Sequence, residues 1–158
     1  MHYAITLQQN SKKDLLHPTA DVSLRTMQTM FARCEFEQVI TVIGRLDKKN
    51  YTRDTWFNIQ LIHIDCLFQR QYNTLALDLL EDIAENDSIP GQARYARARL
   101  CFKENRHQDA ERLFLQVVEQ ADSQSIRFRA QFDLAKLYYA TNQLQKAPAI
   151  LALSLIHI

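Results

Sequence analysis

Four times along this chain the same spaced quartet of residues recurs. A small or apolar residue, two spacers and an apolar residue are followed nine positions later by a small or β-branched residue. That residue has an apolar partner four positions on. The quartets are Met27, Met30, Val39, Ile43; Ile64, Leu67, Ala76, Leu80; Ala98, Cys101, Ala110, Phe114; and Ala135, Tyr138, Ala147, Leu151. Third members stand at 39, 76, 110 and 147, at intervals of 37, 34 and 37 residues. Periods of this size mark a stacked array of helix pairs, because no single pair can bury its own apolar face. Such arrays mostly hold other proteins and rarely perform chemistry.

Composition agrees. The 158 residues suffice for one domain with a useful core. A hydrophobic fraction of 47% with 23% charged residues lies outside the range in which chains stay disordered. The only breakers are Gly44 and Gly91 with Pro18, Pro90 and Pro148, and the segments between them are rich in Leu, Ala, Gln, Glu and Arg. An all-α chain is predicted. Lys and Arg number 19 against 18 Asp and Glu, so a net charge of +1 gives no bulk drive toward nucleic acid or membranes. Cys34, Cys66 and Cys101 are odd in number and lack C-x-x-C spacing. Reduced thiols packing as small hydrophobes are expected, without a disulfide framework or zinc site. No stretch approaches roughly 18 uncharged apolar residues, and Met1 to Asp14 is too polar for a secretory signal. A cytoplasmic location is expected.

Along the chain, residues 1–18 read as a polar lead-in closed by Pro18, and a helical domain of eight helices is predicted over 19–152. Thr19 or Asp21 caps a first helix to about Arg33; its partner runs from near Glu37 through Leu46 until Asp47-Lys48-Lys49-Asn50. The second pair covers about Thr52–Arg70 and Asn73–Glu85. Asp87-Ser88-Ile89-Pro90-Gly91 is the clearest break, with Ser88 as cap and Pro90 in the first turn of the third pair. That pair runs over Pro90–Glu104 and His107–Gln120. Asp122 or Ser123 caps the fourth, Gln124–Ala140, whose partner starts at Leu144 with Pro148 near its beginning. The β-branched run Val39-Ile40-Thr41-Val42-Ile43 could favour a strand, but its place in the register predicts helix.

Two units carry a resemblance. The fourth reads Gln131-x-x-Leu134-Ala135-x-x-Tyr138, then Asn142-Gln143, then Ala147-x-x-x-Leu151. The third reads Ala98-x-x-Cys101, then Glu104-Asn105-Arg106-His107, then Ala110-x-x-x-Phe114. These resemble the tetratricopeptide repeat, a helix–turn–helix unit of about 34 residues. The resemblance covers residues 20–152 in about four units, the first two degenerate. It implies a right-handed α-solenoid of antiparallel helix pairs. Ser23, Gln60, Arg94 and Gln131 stand where the family carries an early large aromatic, and the second unit also aligns one residue earlier, on Leu75 and Leu79.

Small residues at Ala98 and Ala135 predict close helix approach, with Ala110 and Ala147 facing them and Phe114 and Leu151 plugging the space between pairs. Ala135→Leu should then overpack by about 1–3 kcal/mol, and Phe114→Ala should cost about 3–5 kcal/mol. The chain closes on Leu153-Ser154-Leu155-Ile156-His157-Ile158, apolar where a terminal unit is normally polar. This hexapeptide equals the in-frame translation of a transposon-derived sequencing adaptor. The expectation is that 153–158 is a non-native tail and that the natural protein, of bacterial type, is longer.

Chemistry is sparse. Two isolated glycines build no phosphate loop, and no H-E-x-x-H, G-x-S-x-G or kinase-like set occurs. His63, Asp65 and Cys66 lie close on one helix but nothing completes a metal or nucleophile site. His107 reads as a solvated or capping turn residue, and Glu81, Asp82 and Glu85 as a wet helix face. No catalytic residue, cofactor or metal is expected.

The resemblance implies that first helices line a concave groove. On this chain that places Gln92, Tyr95, Arg99, Phe102 and Lys103, then Arg129, Phe132, Lys136, Tyr139 and Ala140, along it. Earlier units contribute Asp21, Leu24, Gln28, Phe31, Ala32 and Asn58, Leu61, Asp65, Phe68, Gln69. Tyr95, Arg99, Phe102, Lys103, Arg129, Phe132, Lys136 and Tyr139 combine four cations with four aromatics. Such a surface suits a peptide or protein segment with acidic groups beside apolar anchors. The leading expectation is a non-enzymatic protein-binding module. Alternatives are the sensor or scaffold part of an enzyme or transcription regulator, and a helical-repeat RNA binder, which balanced charge disfavours.

Overall fold

The computed structural model describes residues 20–86 and 90–156. Among the described residues there are eight α-helices and two short 3-10 turns, and no strand. The helices are α1 (Ala20–Ala32), α2 (Phe36–Ile43), α3 (Arg53–Gln69), α4 (Asn73–Asn86), α5 (Pro90–Lys103), α6 (His107–Gln120), α7 (Gln124–Ala140) and α8 (Ala147–Ile156). The predicted lead-in, the caps Thr19 and Ser88, and the side chains of Leu151 and of the terminal hexapeptide lie outside the described residues.

The helix–turn–helix turns share one geometry. Cys34, Gln71, Asn105 and Asn142 adopt φ of 61, 62, 61 and 57°, the left-handed region. At each turn the next residue's N–H reaches back five residues: Glu35 to Met30, Tyr72 to Leu67, Arg106 to Cys101 and Gln143 to Tyr138, at 2.7–3.0 Å. The left-handed residue itself donates to the carbonyl three positions earlier, as in Cys34 to Phe31 and Asn142 to Tyr139. This paired pattern satisfies carbonyls that a helix end otherwise leaves open. The accepting carbonyls belong to the second member of each sequence quartet, so the apolar register and the turns are in phase. Asn tolerates the left-handed region, whereas Cys34 and Gln71 hold it less readily.

The chain forms two compact units, residues 1–76 and 77–158. In the first, α1 packs on α2 and α3, and α2 on α3. Its core joins Met27, Val39, Ile43, Ile59, Ile62 and Cys66, flanked by Leu24, Phe31 and Trp56. Thr52 caps α3 by accepting from the Thr55 N–H at 3.2 Å. In the second unit α5 packs on α6, α6 on α7 and α7 on α8, while α5 also meets α7. Ala98, Ala110, Phe114, Val117, Leu134 and Leu137 form its interior. The Tyr95 and Phe114 rings lie 6.0 Å apart between α5 and α6.

Several boundaries differ from the sequence reading. Helix α2 stops at Ile43 rather than Leu46, because Gly44 is a weak helix former and Asp47 accepts the Lys49 N–H to start a 3-10 turn. The last helix begins at Ala147, with Leu144–Lys146 forming a separate 3-10 turn and Pro148 in the first helical turn. In the second unit of the repeat, Ala76 and Leu80 are fully buried while Leu75 is 57% exposed, which selects the later alignment. Ala98 is buried as expected, but Ala135 and Ala147 are only half-buried. Burial at these positions is therefore complete in the third pair and partial in the fourth. No helix is long and apolar enough to cross a membrane among the described residues.

Candidate functional site

The cations and aromatics singled out from the sequence for the groove, Tyr95, Arg99, Phe102, Lys103, Arg129, Phe132, Lys136 and Tyr139, fall in the second unit, on α5 and α7. Helix α7 starts after Ser123 and runs seventeen residues without Gly or Pro, so its side chains hold strict helical spacing. Arg129, Phe132, Lys136 and Tyr139 are three, four and three residues apart and share one face. Phe132 is 60% and Tyr139 76% exposed. Phe128, one turn before Phe132, is a further exposed aromatic of the same helix. The Lys136 ammonium sits 4.5 Å from the centroid of the Phe132 ring, a cation–π contact that holds both side chains against the helix.

Helix α5 carries the same kinds of residue with a different outcome. Tyr95 does not line a surface; it is 2% exposed. Its hydroxyl donates to Asp133 Oδ2 at 2.6 Å, across from α5 to α7. Burial, foremost, and the nearby Asp133 carboxylate push the Tyr95 hydroxyl well above its ordinary pKa. Arg99, with only 11% of its side chain exposed, places Nε 3.9 Å from the same carboxylate. Lys136 donates to the other oxygen, Oδ1, at 3.1 Å. Phe102 is half-buried and meets the His107 ring edge-on at 6.0 Å, and Lys103 is exposed at the end of α5. Gln92 is also buried.

Asp133 is thus the hub of this region, and the sequence reading did not single it out. It gathers a tyrosine hydroxyl and two cations, so part of the positive charge on this surface is already compensated. The signal available was an acid bounded by Phe132 and Leu134 and three residues before Lys136. Nothing in the sequence shows that Tyr95 and Arg99, 38 and 34 residues earlier, point at it.

A second anchor joins α6 to the last pair. Glu111 accepts from the Tyr138 hydroxyl at 2.9 Å and from Lys146 at 3.1 Å. Burial first, and then the Glu111 hydrogen bond, push the Tyr138 hydroxyl up to about 12. In the first unit, Glu37 accepts from Arg70 Nε at 2.6 Å and the Tyr72 hydroxyl at 3.2 Å, and the Arg70 hydrogen bond holds its carboxyl below the usual range. The Glu37 bonds are exposed, whereas the Tyr138–Glu111 bond is partly buried.

The other chemistry-bearing residues are packed or solvated. Cys66 is buried and its thiol is pushed up to about 12, chiefly by burial, so it stays protonated and a poor nucleophile. His63 is half-buried and burial lowers its pKa. His107 opens α6 with a half-buried ring against Phe102, rather than standing in solvent. Glu81, Asp82 and Glu85 are exposed. Among the described residues no cluster of three or more His, Cys, Asp or Glu side chains is arranged to hold a metal ion. What the α5–α7 region offers is exposed aromatic area beside cations. The chain matches no family model, no curated protein and no solved structure.

Proposed function

We propose that this chain is a non-enzymatic interaction module, a right-handed α-solenoid of antiparallel helix pairs resembling the tetratricopeptide type, that binds a protein segment on the α5–α7 surface. Three features support the architecture: a recurring quartet with intervals of 37, 34 and 37, turns of one geometry in the same phase, and, within each unit taken by itself, α1 to α3 and α5 to α8 packed in chain order. The single observation that supports binding is the exposure of Phe132 and Tyr139 on either side of Lys136. Large rings held beside a cation give contact area at small entropy cost and a charge-assisted bond to a carboxylate.

The test is selection of binding peptides against the whole chain, followed by titration of the selected peptides onto a Phe132→Ser/Tyr139→Ser double variant. Both side chains are solvent-facing, so the variant should fold as the parent does, which circular dichroism checks. Loss of two anchors should weaken binding about thirtyfold or more. Unchanged affinity for every selected peptide would remove the α7 surface from the proposal.

A further inference from the structure

Positive and negative charge balance in this chain only as a sum. Over residues 45–54, Arg45, Lys48, Lys49 and Arg53 stand against Asp47 and Asp54, while the rest of the chain holds 15 Lys and Arg against 16 Asp and Glu. The net positive charge is therefore concentrated around the link between α2 and α3, in the first unit. That link spans residues 44–52, whereas 121–123 alone join α6 to α7. In helical-repeat proteins such insertions map to loops on one face, often the one that binds. Short bonds order this link. Asp47 accepts the Lys49 N–H at 3.0 Å, the Asn50 N–H reaches the Asp47 carbonyl at 3.0 Å, and the Tyr51 N–H reaches the Lys48 carbonyl at 3.2 Å. The Tyr51 and Trp56 rings stand 5.9 Å apart at 39°, each half-buried against the core of the first unit. Arg45, Lys48 and Lys49 are exposed, and among the described residues no ion pair engages their side chains.

From this we infer that the α2–α3 link binds single-stranded nucleic acid. Arg45, Lys48 and Lys49, carried on an ordered turn, neutralise neighbouring phosphates. The open parts of the Tyr51 and Trp56 rings receive a base, since every base has a flat face to stack. A duplex fits less well, because its base faces are already covered within its own stack. An acidic polypeptide would satisfy the cations but brings no such face to the rings. Entry into an anionic bilayer needs an apolar side chain that stands out, and none of the large exposed hydrophobic side chains of the described residues lies in the link. The inference goes beyond the α5–α7 reading and does not depend on it, because every residue it uses belongs to the first unit.

Trp56 is the single tryptophan of the chain, so its emission reports on this surface alone. The full chain is titrated with short end-labelled oligothymidine and oligouridine. Anisotropy of the label reads binding, and Trp56 emission reads stacking. Both should respond. The logarithm of Kd should rise with the logarithm of salt concentration at a slope of about 2, as three neutralised phosphates require at about 0.7 each. Lys48→Gln/Lys49→Gln should lower that slope by about 1.4. Arg112→Gln, which removes an exposed cation of α6, should leave it where it was. Circular dichroism checks that both variants are folded. An unchanged slope in the double variant, or binding without a change in Trp56 emission, would overturn the inference. So would polyglutamate that binds as tightly as the oligonucleotides at equal charge, which would give the link to acidic polypeptides. Binding to phosphatidylserine vesicles in place of the oligonucleotides would overturn it in favour of a membrane surface. A response to either oligonucleotide or to both upholds it, and the comparison of the two tells which sugar is preferred.

Discussion

Helices α5 and α7 hold chemically similar residues at the same places in the repeat, yet one set is interior and the other is surface. Tyr95 and Phe132 are both aromatic, Arg99 and Lys136 both cationic, Ala98 and Ala135 identical, and each pair is 37 residues apart. Tyr95 is buried where Phe132 is open, and Ala98 is buried where Ala135 is half-buried. The difference is not in the residues. Helix α7 lies against α5 and supplies Asp133, whereas the Phe132–Tyr139 face of α7 has no described helix covering it. Burial of a helix face is a property of the neighbour as much as of the sequence.

Substitutions at matching positions can break that comparison. Tyr95→Ala should have the largest effect, about 3–5 kcal/mol of lost stability, through a cavity beside Phe114 and a lost donor to Asp133. Phe132→Ala should change stability by about 0.5 kcal/mol or less. Similar denaturant midpoints for the two variants would show that the faces are equivalent after all. Overpacking comes next. Ala98→Leu should destabilise by about 1–3 kcal/mol and Ala135→Leu by clearly less, again read from urea unfolding. A larger penalty at Ala135 would restore the expectation drawn from sequence alone.

The cations come third. Arg99→Met leaves Asp133 covered with fewer partners and should cost about 1–3 kcal/mol, whereas Lys136→Met removes a half-exposed pair of about 0–1 kcal/mol. Equal losses would mean that Asp133 depends on both alike. A weaker effect follows from the tyrosines. Burial raises the pKa of Tyr138 to about 12 and holds that of Tyr95 well above its ordinary value, so the folded chain keeps these protons while an unfolded phenol releases them above about 10. Their contribution is whole below pH 10 and lost as pH rises through the folded values. Wild-type stability should therefore fall from pH 10 upward, and Tyr138→Phe should flatten part of that decline between 10 and 12 when unfolding is followed at both pH values. The smallest change expected is a gain. Gln71→Gly relieves a left-handed residue in the turn before α4 and should raise stability by about 0.5–1 kcal/mol, visible as a higher melting temperature.

Much of the fold could be read in advance because it rests on local forces. Helix α6 covers the predicted residues 107–120, and α3, α4, α5 and α7 each end within one residue of the predicted limits. Apolar spacing, few breakers and the turn residues Asn105 and Asn142 act over a handful of neighbours. Errors arose where local signals competed, as at Gly44 and Asp47, or where a proline split a helix start at Pro148. The candidate surface was legible as a set of residue types and not as a surface. Phe132, Lys136 and Tyr139 are exposed, while Tyr95 and most of Arg99 are covered, though all belong to one pattern.

The amino-acid order by itself determined the helices of the described residues, most of their limits and the turns between them, since backbone hydrogen bonds and apolar periodicity are settled within a few turns of chain. Which of two near-identical faces becomes core, and where a carboxylate meets a tyrosine 38 positions away, was decided only by tertiary packing. Burial and paired charge depend on which helix lies alongside, and that neighbour is set by the summed contacts of the whole unit.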